Sequence, residues 1–353
     1  MRIVVAMSGG VDSSVAAALL SEQGHEVIGL SMQLYDQREG QHTFGSCCTL
    51  DDLHDARRVA NVIGIPHYIL NFERQFEETV ISNFVREYAS GRTPLPCAHC
   101  NSDLKFSTLV DRAAGLGAQH VATGHYARVV HGADGRYHLT RSTDGDKDQS
   151  YFLFSLTQAQ LARAMFPVGH LTKPEVRAHA RRLGLNVADK PDSQEICFVP
   201  GGDYVAFLER KHPEVDRGGA IVDAQGRVLG SHGGVHRFTV GQRKGLGVSA
   251  SAPLYVLKLE PATSTVVVGP RAALDRTALT ASGVNWVSCD APAAWLTVHA
   301  QIRHRHRPAS ARVRAGDEGR AELVFDEPQP AITPGQAVVF YDGDTVVGGG
   351  WIE

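Results

Sequence analysis

The chain of 353 residues is poor in the features that mark secreted, membrane and disordered proteins. Its six cysteines are too few for a disulfide scaffold, and in a reducing compartment each is expected to be a buried or a reactive thiol. No apolar run is long enough to span a bilayer, and the residues after Met1 enter a strand-like segment without a signal-peptide pattern. We therefore expect a cytoplasmic protein without a membrane partner.

The sequence also lacks a strong charge bias, internal repeats and low-complexity segments. A formal net charge of −3 gives no global sign of nucleic-acid binding, although it does not exclude a local basic patch. Hydrophobic residues make up 43% and charged residues 21%, as in ordinary folded proteins. The length predicts two or three domains.

Strand-like and helix-like segments alternate in the first part of the chain. Continuous apolar segments at 2–7, 27–32, 67–72 and 119–123 are typical of buried parallel strands. Helical periodicity follows Val11 as far as Gly24 and recurs over 51–63. This alternation predicts an α/β fold with a doubly wound parallel sheet of the adenine nucleotide alpha-hydrolase type.

The remaining sequence changes character twice. A helical middle follows, and it contains a helix with a capping box from Thr172 to Glu175 and Gly184 at its end. From about Gly218 the hydrophobic period is two, with hairpin turns at 225–226, 262–264 and 342–343. We therefore predict three domains, over 1–155, 156–217 and 218–353: the parallel sheet, a small helical or mixed central domain, and an antiparallel β-barrel.

The run SGGVDS, Ser8 to Ser13, connects the first strand to the first helix. Glycines at 9 and 10 allow an anion to approach the backbone, and the N–H groups that follow point at it with the helix dipole. A Walker lysine for the γ-phosphate is missing, so the loop suits adenylation with release of pyrophosphate. Asp12 would cap the helix or help to hold Mg²⁺. The competing interpretation is an ordinary Gly-Gly turn with a helix cap.

Five motifs together carry a resemblance to a known family. SGGVDS resembles the signature of the N-type ATP pyrophosphatase superfamily. GRTPLPCAHCNSDLKF from residue 91, GHYARV from 124, DKDQSYFL from 146 and DKPDSQEICFVP from 189 make the whole chain look like a tRNA-specific 2-thiouridylase, a tRNA-uridine 2-sulfurtransferase. The resemblance implies ATP-dependent 2-thiolation of the wobble uridine of lysine, glutamate and glutamine tRNAs.

The chemistry of the reaction agrees with two cysteines distant in sequence. Adenylation turns the O2 atom of uracil into a leaving group, which a sulfur nucleophile then displaces. The resemblance implies that Cys197 carries a persulfide and that Cys100 is the nucleophile, which forms a transient disulfide with it. It also implies ATP, Mg²⁺, tRNA and a sulfur-donor protein, either a cysteine desulfurase or a sulfur-relay protein. The central domain would bind tRNA and carry Cys197.

Cys97 departs from the commonest family pattern, which has an aspartate at this position as a proposed acid or base. The resulting Cys-x-x-Cys pair with Cys100 leaves several interpretations open. It is a redox dithiol, half of a zinc site with His99 or with 47–48, or part of a [4Fe–4S] cluster with Cys197. The metal-free persulfide route is our preferred hypothesis, and Cys289 is expected to be structural.

The resemblance also implies the binding residues, and three of the sets have a structural alternative. Without an RNA contact, His125 would be a packing histidine and residues 147–149 would be a solvated loop. The stretch QIRHRHRP, which as a strand has Arg303, Arg305 and Arg307 on one face, would be a solvated, charged edge strand. The implied ATP contacts are Ala6, Met7, Ser8, Gly9, Gly10, Val11, Asp12, Ser13, Met32 and Gly124. The implied contacts to a flipped target base are Leu95, Pro96 and Cys97. The implied tRNA contacts are His125, Lys147, Asp148, Gln149, Arg303, His304 and Gln336.

Two other function classes agree with parts of the sequence. Another ATP pyrophosphatase, such as an amide-forming ligase or a tRNA lysidine synthetase, needs no cysteine pair. A non-enzymatic nucleotide-binding module with an RNA-binding barrel would keep SGGVDS but has no use for the stretch around Cys197. Both alternatives predict no sulfur transfer.

Overall fold

The computed structural model describes residues 1–34, 49–192, 196–215 and 217–353. Its α-helices are α1 Val11–Glu22, α2 Leu50–Ile63, α3 Glu73–Phe76, α4 Ser82–Ala89, α5 Pro96–His99, α6 Phe106–Gly115, α7 Gln158–Leu161, α8 Lys173–Arg182 and α9 Tyr204–Lys211. Its strands are β1 Arg2–Ala6, β2 Glu26–Gln33, β3 His67–Asn71, β4 His120–Thr123, β5 Ala127–His131, β6 Tyr137–Arg141, β7 Ala164–Met165, β8 Gly219–Asp223, β9 Val228–His232, β10 Tyr255–Glu260, β11 Thr265–Gly269, β12 Asp275–Trp286, β13 Leu296–Gln301, β14 Ala309–Ala315, β15 Ala321–Pro330, β16 Ala337–Asp342 and β17 Thr345–Ile352. Two π-helical segments, Glu77–Ile81 and Cys100–Lys105, join α3 to α4 and α5 to α6.

The first of two compact units comprises Met1–Val80, Cys97–Gly202 and Asp344–Val346. Its sheet has the order β3-β2-β1-β4-β7, and every pairing in it is parallel. Ile3, Val4 and Val5 of the central strand have no exposed surface, as a strand covered by helices on both faces requires. The predicted doubly wound parallel sheet is confirmed.

Helices α1 and α8 pack together on this sheet. Val15 of α1 and Val176 and Ala180 of α8 belong to one buried cluster. The predicted capping box fixes the start of α8, because the backbone N–H and hydroxyl of Thr172 both donate to Glu175, at 2.7 and 2.8 Å. The first turn of α8 is thereby set beside the first turn of α1.

The second unit comprises Ile81–Pro96, Asp203–Gly343 and Val347–Glu353, and it contains two sheets. Strands β10-β11-β8-β9 form a mixed sheet in which β8 and β11 are parallel. Strands β12-β15-β14-β13-β16-β17 form an antiparallel barrel, which the pairing of β12 with β17 closes. Val298, Phe325 and Phe340 fill the interior of this barrel. The predicted C-terminal antiparallel barrel is confirmed.

The period-two pattern predicted a single barrel from residue 218 onward. The hairpin turns at 225–226, 262–264 and 342–343 are present, yet the first two lie in the separate mixed sheet. Turn residues and alternation identify a hairpin but not the sheet that it joins, and the parallel β8–β11 pairing is non-local. Within the described residues, no helix is long and apolar enough to cross a membrane.

Candidate active site

The SGGVDS loop lies at the carboxyl ends of β1 and β4. Ala6, the last residue of β1, pairs with Thr123, the last residue of β4, so the loop and Gly124 leave the sheet side by side. From β1 the chain passes to β2 on one side, and β4 lies on the other. Open parallel sheets bind their ligands at such a switch in strand order. The topology therefore favours a ligand site at this loop.

The serine hydroxyls of the loop serve mainly the loop itself. Ser13 Oγ donates to the carbonyl of Gly10 at 3.2 Å and accepts the backbone N–H of Ser8 at 3.2 Å. Ser14 is fully buried and donates to the same carbonyl at 2.8 Å. These bonds fix the turn and leave the N–H groups at the start of α1 as donors for an anion, since no side chain caps this helix.

The three glycines at this site have different surroundings. Gly9 has φ +75°, and a Cβ there would lie 2.1 Å from the carbonyl oxygen of Asp52. A Cβ at Gly124 would lie 2.4 Å from the backbone nitrogen of Ser13. At Gly10 the nearest atom to a Cβ is Ser8 Oγ at 3.5 Å, an ordinary contact. Protein atoms therefore exclude a side chain at Gly9 and Gly124, whereas Gly10 leaves open space for a ligand.

Asp12 does not cap α1, and its carboxylate has protein partners. Its carboxylate accepts two bonds from Lys173 Nζ, at 2.8 and 2.9 Å, and one from the Tyr126 hydroxyl at 2.8 Å. Burial, followed by the charge of Asp12, raises the pKa of Tyr126 far above its ordinary value, so the phenol remains a donor. Of the two sequence-based roles for Asp12, the helix cap is wrong, because the carboxylate pairs with Lys173; the role as a Mg²⁺ ligand stays a prediction.

A second lysine reaches the loop from the same downstream region. Lys190 Nζ donates to the carbonyl of Gly9 at 3.0 Å, to Asp52 at 2.6 Å and to Asp55 at 2.7 Å. Burial alone would lower the pKa of Lys190, but the hydrogen bonds and charges of the two carboxylates outweigh it and raise that pKa. The loop thus has two ammonium groups close by, although it contains no lysine of its own.

The structure changes the predicted environment of the cysteine pair. The stretch from Gly91 predicts a proline-stiffened loop followed by a helix that starts near Asn101. In the structure the helix begins at Pro96, so the exposed Cys97 lies in its first turn. Cys100 is 7% exposed and opens the π-helical segment. The N-terminus of the helix is therefore closer to Cys97 than to Cys100. The sequence pattern placed Cys100 just before a helix, because prolines at 94 and 96 resemble a loop.

Cys197 lies in the same compact unit as the SGGVDS loop and is partly exposed. Its neighbour Phe198 is buried and makes an edge-to-face contact with Phe76, with ring centroids 5.4 Å apart. Across the described residues, no three His, Cys, Asp or Glu side chains are placed to hold a metal ion. The cluster on Cys97, Cys100 and Cys197 is thus not supported. Residues 47–48 and the segment 193–195 lie outside the described residues.

The predicted tRNA contacts in the first unit already have protein partners. Lys147 donates to Asp192 at 2.7 Å, and the amide oxygen of Gln149 accepts the backbone N–H of Tyr126 at 2.9 Å. Asp148 is buried and accepts from Arg141 at 2.9 Å and from the Ser150 hydroxyl at 2.7 Å. Contact of these three side chains with RNA stays a prediction.

His125 is also bound internally. Its Nδ1 atom lies 2.7 Å from the Thr123 hydroxyl, and its ring packs edge-on against Phe166. Enclosure of the imidazole, with a smaller effect of the Lys105 ammonium, lowers the pKa of His125 to about 3. A neutral ring at physiological pH offers hydrogen bonds to RNA but no positive charge.

The predicted contacts in the second unit divide into two groups. Residues 302–308 connect β13 to β14 and are not a strand, so the expected row of arginines on one strand face is wrong. Arg303 donates to the carbonyl of Pro330 at 3.3 Å, and His304 is exposed. Alternating arginines and histidines do not by themselves identify a strand, because an exposed connection between two strands can carry the same residues.

Gln336 and the segment before Cys97 form the other group. The Gln336 amide donates to the carbonyls of Thr93 and Pro94, at 3.1 and 3.2 Å. Leu95 and Pro96 are buried. Gln336 therefore holds the backbone that precedes the cysteine pair by hydrogen bonds. Its contact with RNA stays a prediction.

No sequence motif assigned a role to Lys173, Lys190, Asp192 or Tyr126. One signal was present in the sequence. A lysine at the first position of α8 opposes the helix dipole, which favours acidic residues there. Such a local conflict indicates a charged partner elsewhere in the fold, and here the partners are Asp12 and Asp192.

The geometry defines a class of protein: an α/β domain with a glycine-rich loop at the carboxyl end of its parallel sheet, followed by a mixed sheet and an antiparallel β-barrel. Comparison with known families agrees with this class. Residues 1–201 match the tRNA methyl transferase HUP domain, 205–270 the tRNA methyl transferase PRC-barrel domain, and 276–352 the aminomethyltransferase β-barrel domain.

Curated relatives then specify the family. The chain is 55% identical over 357 residues to the tRNA-specific 2-thiouridylase MnmA of Geotalea uraniireducens (strain Rf4), covering 100% of this chain and 95% of that protein. It is 56% identical over 367 residues to the MnmA of Solibacter usitatus (strain Ellin6076), covering 99% of each. The chain belongs to the tRNA-specific 2-thiouridylase family, and the predicted enzyme class, tRNA-uridine 2-sulfurtransferase, is confirmed. A solved complex of a 4-thiouridine synthetase with RNA and ATP covers 60% of this chain and 50% of its own, at 15% identity and a TM-score of 0.35, too low to add to the assignment.

Proposed function

We propose that this chain catalyses ATP-dependent 2-thiolation of the wobble uridine in lysine, glutamate and glutamine tRNAs. The observation that carries the proposal is the presence, in one compact unit, of an adenylation-type loop and of Cys97, Cys100 and Cys197. An adenylating enzyme that forms an amide would need the loop but not the cysteines. The proposed domain roles are ATP pyrophosphatase for 1–155, tRNA binding for 156–217 and a barrel for 218–353. We place the enzyme in the cytoplasm, with its tRNA substrate.

In the first step, the uracil O2 atom attacks the α-phosphorus of ATP and pyrophosphate leaves. The N–H groups after Gly10 and the ammonium of Lys173 are positioned to balance the charge of the departing pyrophosphate. A Mg²⁺ ion bound together with ATP would need only one or two protein carboxylates, and Asp12 would supply one of them. Met32, buried at the end of β2, is proposed to lie beside the adenine.

In the second step, sulfur replaces the activated oxygen. The donor protein loads Cys197 as a persulfide, and the Cys100 thiolate attacks Sγ of Cys197. A Cys100–Cys197 disulfide forms and hydrosulfide leaves. The hydrosulfide attacks C2 of the uracil, and AMP departs with the former O2 atom. A dithiol reductant then returns both cysteines to thiols.

Two measurements test this function. Pyrophosphate release should depend on unmodified tRNA, and 2-thiouridine should appear in nucleoside mass spectrometry only when a sulfur donor is supplied. Cys100→Ser and Cys197→Ser should both release pyrophosphate and make no 2-thiouridine, because adenylation precedes sulfur transfer. Cys100→Ser should still acquire a persulfide, whereas Cys197→Ser should not. Thiolation by either variant would refute the assigned roles, and tRNA-independent pyrophosphate release would favour a different acceptor.

A further inference from the structure

The ammonium group of Lys190 connects the SGGVDS loop to helix α2. It donates to the carbonyl of Gly9 at 3.0 Å, to Oδ1 of Asp52 at 2.6 Å and to Oδ2 of Asp55 at 2.7 Å. An ammonium has three N–H donors, so these bonds use all of them. A bond from Lys190 to a phosphate would leave one of the three acceptors without its partner. Lys190 is therefore placed to hold the loop and not the nucleotide.

The first turn of α2 is a fixed anchor for this ammonium. Asp52 is 7% exposed, and its Oδ2 atom accepts the backbone N–H and the hydroxyl of Thr49, both at 2.8 Å. This capping box leaves Oδ1 for Lys190. Gly9 packs on the same turn, because a Cβ there would lie 2.1 Å from the carbonyl oxygen of Asp52. The carbonyl of Gly9 is thus held on the side of the loop that faces α2.

The backbone that carries Lys190 is also fixed. Arg177 of α8 donates to the carbonyls of Ala188 and Lys190, at 2.7 and 3.0 Å. Asn186 donates to the second oxygen of Asp55 at 2.7 Å. A long side chain directs a carbonyl only if its backbone and its other acceptors are held in place. Both conditions are met at Lys190.

The direction of the Gly9 carbonyl determines where the next N–H points. The Gly9–Gly10 peptide is trans, and in a planar trans peptide the carbonyl and the N–H point in opposite directions. Because the carbonyl points at Lys190, the N–H of Gly10 points away from it. Gly9 is buried, whereas Gly10 is partly exposed. In the part of the chain that the structure describes, this N–H donates to no protein acceptor.

We propose that Lys190 is a positioning residue, which orients the Gly9–Gly10 peptide so that the Gly10 N–H donates to a phosphate of ATP. The inference rests on the proposed function in one respect: it takes the SGGVDS loop to bind the phosphates. Lys190 acts through the backbone and does not touch the nucleotide. Without its ammonium, a peptide between two glycines is free to rotate, and the donor is lost.

The test observes this one peptide by NMR in the full-length protein. Glycine alone is labelled, with ¹³C at the carbonyl and ¹⁵N at the amide, so that an HNCO spectrum shows only glycines that follow another glycine. The signal that Gly10→Ala removes belongs to the Gly9–Gly10 peptide. In the wild type, ATP should shift the Gly10 proton downfield through a new hydrogen bond to phosphate. Adenosine, which has no phosphate, should not.

Lys190→Met should change both ends of the peptide. The Gly9 carbonyl carbon should shift upfield before any ligand is added, because it has lost a hydrogen bond, and the Gly10 proton should no longer respond to ATP. Calorimetry should show an ATP affinity at least about tenfold weaker, the effect of one lost hydrogen bond to a charged group. The matched control is Arg181→Gln, which removes a positive charge from an exposed pair with Asp189 and should keep all three wild-type results.

Two results would overturn the inference. One is a Gly10 proton that responds to ATP in Lys190→Met as in the wild type, since Lys190 would then act by its charge alone. The other is a wild-type Gly10 proton that ignores bound ATP. Should Lys190→Met not fold, the charge-balanced double variant with Asp55→Asn replaces it, with the same expected results. Formation of 2-thiouridine tests the proposed function separately: a wild type that binds ATP through Gly10 yet makes none would refute that function and support the positioning role.

Discussion

Substitution of the two loop glycines by alanine separates ligand binding from folding. Gly9→Ala introduces a Cβ at φ +75° and 2.1 Å from a backbone oxygen of Asp52. Gly10→Ala introduces one at φ −89° and ψ 164°, with Ser8 Oγ at 3.5 Å as the nearest atom. The first change conflicts with the protein itself. The second conflicts only with a ligand that packs on the loop.

The two substitutions should change the free energy of unfolding by different amounts. At Gly9, left-handed backbone strain of about 1–2 kcal/mol adds to overpacking of about 1–3 kcal/mol, so unfolding should become easier by roughly 2–5 kcal/mol. At Gly10 the backbone is compatible with alanine, and restriction of the unfolded chain contributes about 0.4–1 kcal/mol of stability. Because Gly10 is the N-cap of α1, where alanine is disfavoured by about 0.5–1 kcal/mol, the two effects should nearly cancel. If phosphate packs on Gly10, the added methyl should weaken ATP binding by about 1–3 kcal/mol, roughly 5- to 150-fold.

Two assays read the two effects. Denaturant unfolding gives the stability of each variant, and calorimetry with ATP gives the affinity. Gly10→Ala should be about as stable as the wild type, within about 1 kcal/mol, and should bind ATP poorly. If it binds ATP as the wild type does, phosphate does not approach Gly10, and the cradle assigned to this loop is refuted. A Gly9 variant alone cannot decide the question, because loss of ATP binding there also follows from misfolding.

Three further predictions concern charge and the cysteine pair. Because the pKa of His125 is about 3 in the folded protein and near 6.5 when unfolded, the unfolded state binds more protons between those values. The free energy of unfolding should therefore rise with pH across that window, and His125→Gln should flatten the slope in denaturant titrations; an unchanged slope contradicts the enclosed imidazole. Removal of Arg303 and Arg305 together should reduce the salt dependence of tRNA binding by about one log unit per lost phosphate contact, whereas an equal slope in filter-binding assays places the RNA elsewhere. Cys97→Ser should retain substantial 2-thiouridine formation, and a collapse of activity together with bound iron would contradict the metal-free route.

The parallel sheet and the glycine-rich turn after its first strand were predictable because their signals are local. A continuous apolar strand, a glycine turn and a helix pattern lie within the first 24 residues, and each constrains the same short stretch. The capping box of α8 is equally local and is present as predicted. The separate mixed sheet was not predictable in this way, since its β8–β11 pairing joins strands more than 40 residues apart. The alternating arginines and histidines at 302–308 also led to a wrong prediction, because this strand-like pattern lies in the connection between β13 and β14.

The two lysines beside the SGGVDS loop were not predicted, for a different reason. Lys173 and Lys190 reach the loop only because α8 packs on α1 and the following chain returns to α2. A loop lysine of the Walker type would be in place wherever the first strand and helix form. Here the charges that neutralise Asp12 arrive from 161 residues further along the chain. The SGGVDS loop therefore acquires its two neighbouring ammonium groups only when α8 and the chain around Lys190 have folded against it.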